Sequence, residues 1–283
     1  MDLVLVVLYK QKVSESSTLL TLINCKNHLT QKMLFVWDNS PNPLDEHEII
    51  FLENQFKNFK YLNSQDNRSL SEVYNTVIKQ IKFNKIFIFD QDTSLTDEYF
   101  ELVDSSALNN TDVGIFLPFV KNKNRVVSPL RFSVINFDHS KIIKKGRVLA
   151  KNKTAFASGL CIKEWIFKRD NIWFDQNLSF YGIDYKFILD YGDFNRYMYV
   201  IDYELKHSLS FTEEETKEVK IKRFDSNIAA SFYLANARFN FFQKVIIVIR
   251  SLFVSFKMSL KYRDSIFFMI LFKNLKFFGR YNL

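Results

Sequence analysis

Short apolar runs of strand length recur along this chain, with helical periodicity between most of them. The runs are LVLVVLY (Leu3 to Tyr9), MLFVWD (Met33 to Asp38), FKYL near Lys60, KIFIFD (Lys85 to Asp90) and DVGIFLPFV (Asp112 to Val120). The longer ones are continuously apolar rather than alternating, the pattern of strands buried on both faces. Between them, Leu19, Leu20, Leu22 and Ile23 make one apolar helical face, and Val73, Val77, Ile78 and Ile81 make another. Phe100, Leu102 and Val103 supply a third. Ser14, Ser69 and Thr96 stand where helix caps are needed, and Ser69 with Glu72 has the spacing of a capping box. Strand and helix alternate at least four times before residue 120, which predicts an α/β domain with a mainly parallel sheet.

Later segments are less regular. Residues 121–155 read as short strands or a hairpin, and ASGLCIKEWIFKRD as a strand passing into a helix. LSFYGIDYKFILDYG predicts a helix stopped by Gly192, and RYMYVIDYELKH a late strand ending near His207. TEEETKEVKIKRFD reads as the charged start of a helix. Two units follow: residues 1–210 as the α/β domain and residues 211–283 as a helical extension.

Several chemistries are disfavoured by what the chain lacks. Its six glycines form neither G-x-G-x-x-G nor a P-loop, which argues against nucleotide binding through those cradles. Cys25 and Cys161 belong to no C-x-x-C pair and read as two buried thiols in a reducing compartment. In MDLVLVVLYKQK an acid precedes the apolar run and Lys10 follows it, the reverse of a signal peptide. The segment reads as a first strand, and the chain as cytosolic.

Two of the apolar runs end in acids, FVWD at Asp38 and IFIFD at Asp90, and Asp92 lies two residues beyond Asp90. In a parallel α/β sheet ligands bind outside the carboxyl ends of the strands, where these acids fall. D-x-D alone can be a helix cap, a turn or a metal site. Several carboxylates gathered at one edge cost several kcal/mol unless a cation, donor or proton offsets them, as a divalent metal shared with phosphate oxygens does.

The order of these features resembles the family two glycosyltransferases, which have the GT-A nucleotide-diphospho-sugar transferase fold. The matching segments are VVLYK, FVWDNSPN, NRSLSEVYN (Asn67 to Asn75) and FIFDQDTSL, the last resembling the LDQDS of a rhamnosyltransferase-like branch. ASGLCIKEWIF and FDQNLSFYGIDYKFILDY are similar to that family's acceptor region, so the likeness covers roughly residues 2–210. It implies a Rossmann-like, mainly parallel sheet and an inverting, metal-dependent transfer from a nucleotide-diphosphate sugar to a glycan or lipid-linked glycan, in surface polysaccharide synthesis. It also implies roles. Asp38 would bond the nucleobase, Tyr9 would line that pocket, and Asn67 with Arg68 would close the donor site. Asp90 would lie by the ribose, Gln91 would also bind the donor, and Asp92 with Asp90 would hold Mg²⁺ or Mn²⁺, with His207 as a further ligand. Asp184 would be the general base, and Ser158, Gly159 and Trp173 would belong to the acceptor region. For the tryptophans Trp165 and Trp173, core packing is the competing reading. The chain departs from the family's pattern at Lys10, Ser69, Ile183 and Lys186. Those departures keep open a GT-A-like binding or scaffold subunit without activity, and the same acids also suit a nucleotidyl- or phosphoryl-transfer enzyme.

The net charge of +8 comes entirely from the end of the chain: residues 236–283 carry nine Lys and Arg against Asp264 alone. That segment is also rich in Phe, Ile, Leu and Val, yet holds no charge-free run of the roughly 20 residues that span a bilayer. At about 100° per residue, Arg250, Lys257 and Lys261 share one side of a helix, while Ile249, Leu252, Phe253, Phe256 and Leu260 occupy another. Such a helix suits an anionic membrane surface, placing the chain peripherally on the cytoplasmic face. A helical pair packed on the catalytic domain, or a homodimer contact, is the other reading. The basic residues are interleaved with aliphatics rather than gathered in a polar groove, so nucleic acid is not expected as a partner.

Overall fold

Leu3, Leu5 and Val7 face one side of the first strand, Val4, Val6 and Leu8 face the other, and both sets are buried. A strand covered on both faces requires helices above and below it. A computed structural model, which describes residues 1–25, 28–122, 125–132, 143–207 and 216–278, supplies them.

Strands β1 (Asp2–Leu8), β2 (Lys32–Asp38), β3 (Phe59–Asn63) and β4 (Lys85–Asp90) are parallel. A two-residue strand, β5 (Thr93–Ser94), follows, then β6 (Ile115–Asn122), β7 (Arg125–Ser128), β8 (Leu130–Arg131), β9 (Gly146–Leu149) and β10 (Lys153–Thr154). The last two are β11 (Leu160–Lys163) and the long β12 (Tyr197–His207). The main sheet runs β3-β2-β1-β4-β11-β6-β12-β5, with β7 on β6, β9 on β12, and β8 paired to β10 apart from it. β11 lies antiparallel between β4 and β6, while β12 is parallel to β6.

Helices α1 (Ser17–Asn24), α2 (Glu46–Gln55), α3 (Leu70–Gln80) and α4 (Asp97–Asn109) link the early strands. α5 (Trp165–Lys168) follows β11 directly, and α6 (Ile183–Phe194) precedes β12. Residues of α1, α2 and α4 cover one sheet face, and residues of α3, α5 and α6 the other. Three further helices end the chain: α7 (Lys217–Arg238), α8 (Phe241–Tyr262) and α9 (Ile266–Phe278). Phe224, Ile228 and Phe232 of α7 meet Phe267, Ile270 and Leu271 of α9 in a separate core. Of the segment read as a charged helix start, residues 212–215 lie outside the described residues.

Local expectations differ from the structure in four places. α1 is capped by Ser16, whose hydroxyl accepts the Leu19 N–H; Ser14 lies in a preceding 3-10 turn. Ser69 caps α3 through the Glu72 N–H, but the Glu72 carboxylate pairs with Arg68 instead of closing the capping box. Thr96 sits at the start of α4 with its hydroxyl on Tyr203 rather than on a cap N–H. Gly192 does not stop its helix. α6 runs through it to Phe194, and a Cβ there would lie 2.7 Å from the Ala150 carbonyl oxygen, so the glycine serves close packing. Both cysteines are free and buried, as anticipated.

Candidate active site

The Asp90-Gln91-Asp92 turn leaves the carboxyl end of β4 and is held by its backbone. Thr18, in the first turn of α1, bonds the Asp90 carbonyl through its hydroxyl and the Gln91 carbonyl through its N–H. The Ser16 hydroxyl also donates to the Gln91 carbonyl at 2.8 Å. The Gln91 side chain reaches back to accept the Tyr9 N–H at 2.6 Å, joining the ends of β1 and β4. From the other side, Ser158 accepts the Asp90 N–H at 3.2 Å and shares a 2.6 Å hydrogen bond with Thr93. Asp90 and Asp92 therefore project from a turn whose main chain is pinned on both flanks, and both remain half-buried.

Asp38, 1% exposed, organises the neighbouring strand end. Its carboxylate accepts the N–H groups of Ser40 and Leu44 and the Tyr61 hydroxyl, the last at 2.6 Å. Burial, with Asp38 adding to it, keeps the Tyr61 phenol protonated far above its ordinary range. Asp38 thus shapes this loop, and the Tyr9 ring stands exposed beside it at the end of β1. The link to Asn67 and Arg68 is Asn39: its amide bonds the Asn67 side chain and the Arg68 carbonyl, and its oxygen accepts the Arg68 N–H. Asn67 has a left-handed backbone, φ 46°, which asparagine tolerates.

Asp184 lies in the first turn of α6. Gly182 precedes that helix at φ 78°, and a Cβ there would meet Ala230 and Leu234 of α7. The Asp184 carboxylate accepts the Tyr185 N–H at 2.9 Å and the N–H of Ala157. Burial pushes its pKa up to about 7; the Tyr185 N–H opposes that rise and the negative charge of Asp90 adds to it. A carboxyl near neutrality is suited to exchange protons. Ile183 is buried in the core. Lys186 is bound to Asp190 at 2.6 Å, and Arg238 of α7 pairs with Asp190 and Asp193. The cation at position 186 therefore belongs to a charge network that docks α6 on α7.

Apart from these acids, a cavity of about 430 Å³ opens between the loop at residues 177–181 and helices α7 and α9, with none of the candidate site residues in its lining. Ser179, Tyr181, Tyr233, Asn236 and Asn274 give it a polar and aromatic lining. Its loop is fixed by Asp175, which accepts the Tyr233 hydroxyl at 2.6 Å and the Asn177 N–H at 2.9 Å.

The site thus gathers Asp90, Gln91, Tyr9, Ser158 and Asp184, with Asp38 at the end of β2 and Asn67 and Arg68 just before α3. Gly159 follows Ser158 at φ 80° against Leu205 and Pro118, and supports β11 instead of offering a surface. Trp173 stands elsewhere. It lies with Lys79 at the far end of α3 and packs on Phe167, at the opposite edge of the sheet from Asp90, as core packing requires. The backbone of β12 carries His207 opposite Thr93, but the His207 side chain lies outside the described residues. Among the described residues no group of three or more His, Cys, Asp or Glu could hold a metal ion. Asp90 and Asp92 offer oxygen donors alone, a set that fits Mg²⁺ or Mn²⁺ when phosphate oxygens and water fill the other positions.

Sequence reasoning missed three residues. Asn39 is one. Ser64, just past β3, has a buried hydroxyl without a hydrogen-bond partner among the described residues, and its N–H donates to the Asp38 carbonyl. Tyr74 of α3, 1% exposed, has no partner for its hydroxyl among the described residues, and it feels the charges of both Asp90 and Asp184. Its place inside NRSLSEVYN was the available signal, but a tyrosine on an apolar helix face reads as core.

No family model matches the chain, and no curated protein matches it in sequence. Solved structures do match. TarS 1–349 of S. aureus superposes with TM-score 0.51 at 13% identity, over 88% of this chain and 70% of that one. A longer TarS chain gives 0.52 at 12% identity, over 90% of this chain and 43% of its own length. TarS 1–349 in complex with UDP-GlcNAc gives 0.50 at 13% identity, over 87% and 70%. At such identities the likeness shows the fold: a GT-A α/β domain with a mainly parallel sheet and C-terminal helices.

Proposed function

We propose that the protein is an inverting glycosyltransferase that moves a sugar from a nucleoside diphosphate donor to a glycan or lipid-linked glycan in cell-surface polysaccharide synthesis. The observation that carries this reading is the pairing of Asp184, a carboxyl poised near neutrality, with Asp90 on the pinned turn at the carboxyl edge of a GT-A sheet. The UDP-GlcNAc held by one structural neighbour makes UDP-sugars the first donors to try. A deoxyhexose donor is supported by the FIFDQDTSL resemblance.

In this mechanism Tyr9, the Asp38 loop and Asn67-Arg68 receive the nucleoside. Asp90 and Asp92 would hold Mg²⁺ or Mn²⁺, which when bound stabilises the negative charge developing on the departing diphosphate. Asp184 takes the proton of the acceptor hydroxyl as its oxygen attacks the anomeric carbon, and the bond to the diphosphate breaks on the opposite face. One displacement inverts the configuration.

The test is nucleotide-sugar binding and slow donor hydrolysis, screened with Mn²⁺ and Mg²⁺. Activity should appear with one donor and collapse in Asp92→Ala. Absence of metal-dependent binding to every nucleotide sugar in the intact protein rejects the transferase reading and favours a scaffold role.

A further inference from the structure

The rotational setting of α8 is wrong for a helix surrounded by water. Toward α7 and α9 it turns Ser251 and Ser255, both buried, together with Ile247, Val248, Met258 and Tyr262. The hydroxyls of Ser255 and Ser259 are buried there without a hydrogen-bond partner among the described residues. Outward it turns Phe242, Phe253 and Leu260, which are 78%, 71% and 64% exposed, along with Val245, Ile249, Leu252 and Phe256. At about 200 Å² per ring, Phe242, Phe253 and Phe256 alone leave on the order of 400 Å² of aromatic surface in the open, as much as the largest patch of an ordinary monomer. Rolling the helix by half a turn would bury those rings and hydrate the serines. The folded chain does the reverse, and small residues at helix contacts with bulky apolar ones outside are the arrangement of helices that face lipid.

Arg250, Lys257 and Lys261 form an exposed stripe alongside the apolar arc, and α8 contains no Asp or Glu. Among the described residues no helix is long and apolar enough to cross a bilayer. We infer that α8 lies in the plane of an anionic membrane surface, its Phe and Leu side chains in the acyl boundary and its Arg and Lys at the phosphates. A second copy is the poorer occupant, because pairing two such faces sets one basic stripe near another. The inference stands whether or not the protein transfers sugars.

Cosedimentation of the full chain with vesicles tests it. Binding is expected to phosphatidylglycerol–phosphatidylcholine vesicles at low salt, and to weaken with added salt and on phosphatidylcholine alone. Replacing Arg250, Lys257 and Lys261 by Ser should lower affinity about fivefold per residue, on the order of a hundredfold together. Phe253→Ser with Phe256→Ser and Leu260→Ser should lower it at least tenfold at unchanged charge. These side chains point outward, and circular dichroism confirms that each variant is folded. Failure of the unaltered protein to bind phosphatidylglycerol vesicles at low salt overturns the inference. So does a solution dimer that the apolar substitutions dissociate while vesicle binding is nil, which assigns the face to a second copy.

Discussion

Asp90 and Asp184 meet through one strap of chain: Ala157 donates its N–H to the Asp184 carboxylate, and Ser158 accepts the N–H of Asp90. The strap lies just before β11, the antiparallel strand next to β4, so the sheet register sets the spacing of the two acids. The negative charge of Asp90 is felt at Asp184.

The pKa of Asp184 is raised from 3.8 to about 7, so the folded protein holds a proton there that the unfolded chain has released. Stability therefore falls as pH rises between about 4 and 7, while the base becomes competent over the upper part of that window. Asp184→Asn should lower kcat by about 10²–10⁴-fold and raise stability at pH 8 by on the order of 1 kcal/mol, an advantage that fades below pH 4. Rate–pH profiles and urea midpoints at pH 4, 6 and 8 check both signs.

Ser158→Ala leaves the Asp90 N–H and the Thr93 hydroxyl without their shared partner. It should cost about 1–3 kcal/mol in urea unfolding and loosen the Asp90-Gln91-Asp92 turn. Donor affinity should fall with it. Ser158→Thr, which retains the hydroxyl, should recover part of that affinity if the methyl group is accommodated.

Tyr74→Phe removes a buried hydroxyl that has no partner among the described residues. The variant should be as stable as the parent or more so, by up to about 1 kcal/mol. If the hydroxyl serves the donor, nucleotide-sugar affinity should drop roughly tenfold, the scale of one hydrogen bond. Calorimetric titration separates the two effects, and unchanged affinity makes Tyr74 a packing residue.

Gly192→Ala should destabilise although alanine is the better helix former by about 1 kcal/mol. The added methyl would sit 2.7 Å from the Ala150 oxygen and 3.0 Å from its carbon, both backbone. A loss of about 1–3 kcal/mol in thermal or urea unfolding is expected. A gain in stability would show that α6 shifts to accommodate the methyl group.

The early strands were legible because each is a continuous apolar run closed by a polar turn, and burial on two faces permits little else. Asp38, Asp90 and Asp92 could be placed at one sheet edge for the same reason, since parallel strands present their carboxyl ends together. Asn39 was not legible: its amide matters through Asn67 and Arg68, which only the approach of β2 to the start of α3 brings near. For Trp173 two readings, sugar stacking and core packing, stood open in the sequence; the fold carries it to the far end of α3, where it packs on Phe167.

By itself the sequence determined the alternation of strand and helix, the acids at strand ends and the basic, apolar character of the last helices. These are properties of local periodicity and composition. Tertiary structure alone decided that Asp184 sits within the field of Asp90, that Gly192 continues its helix against Ala150, and that α8 turns its serines inward and its phenylalanines out. Each of these depends on which distant segment packs against a residue, and burial, pKa and exposure are set by those neighbours rather than by position in the chain.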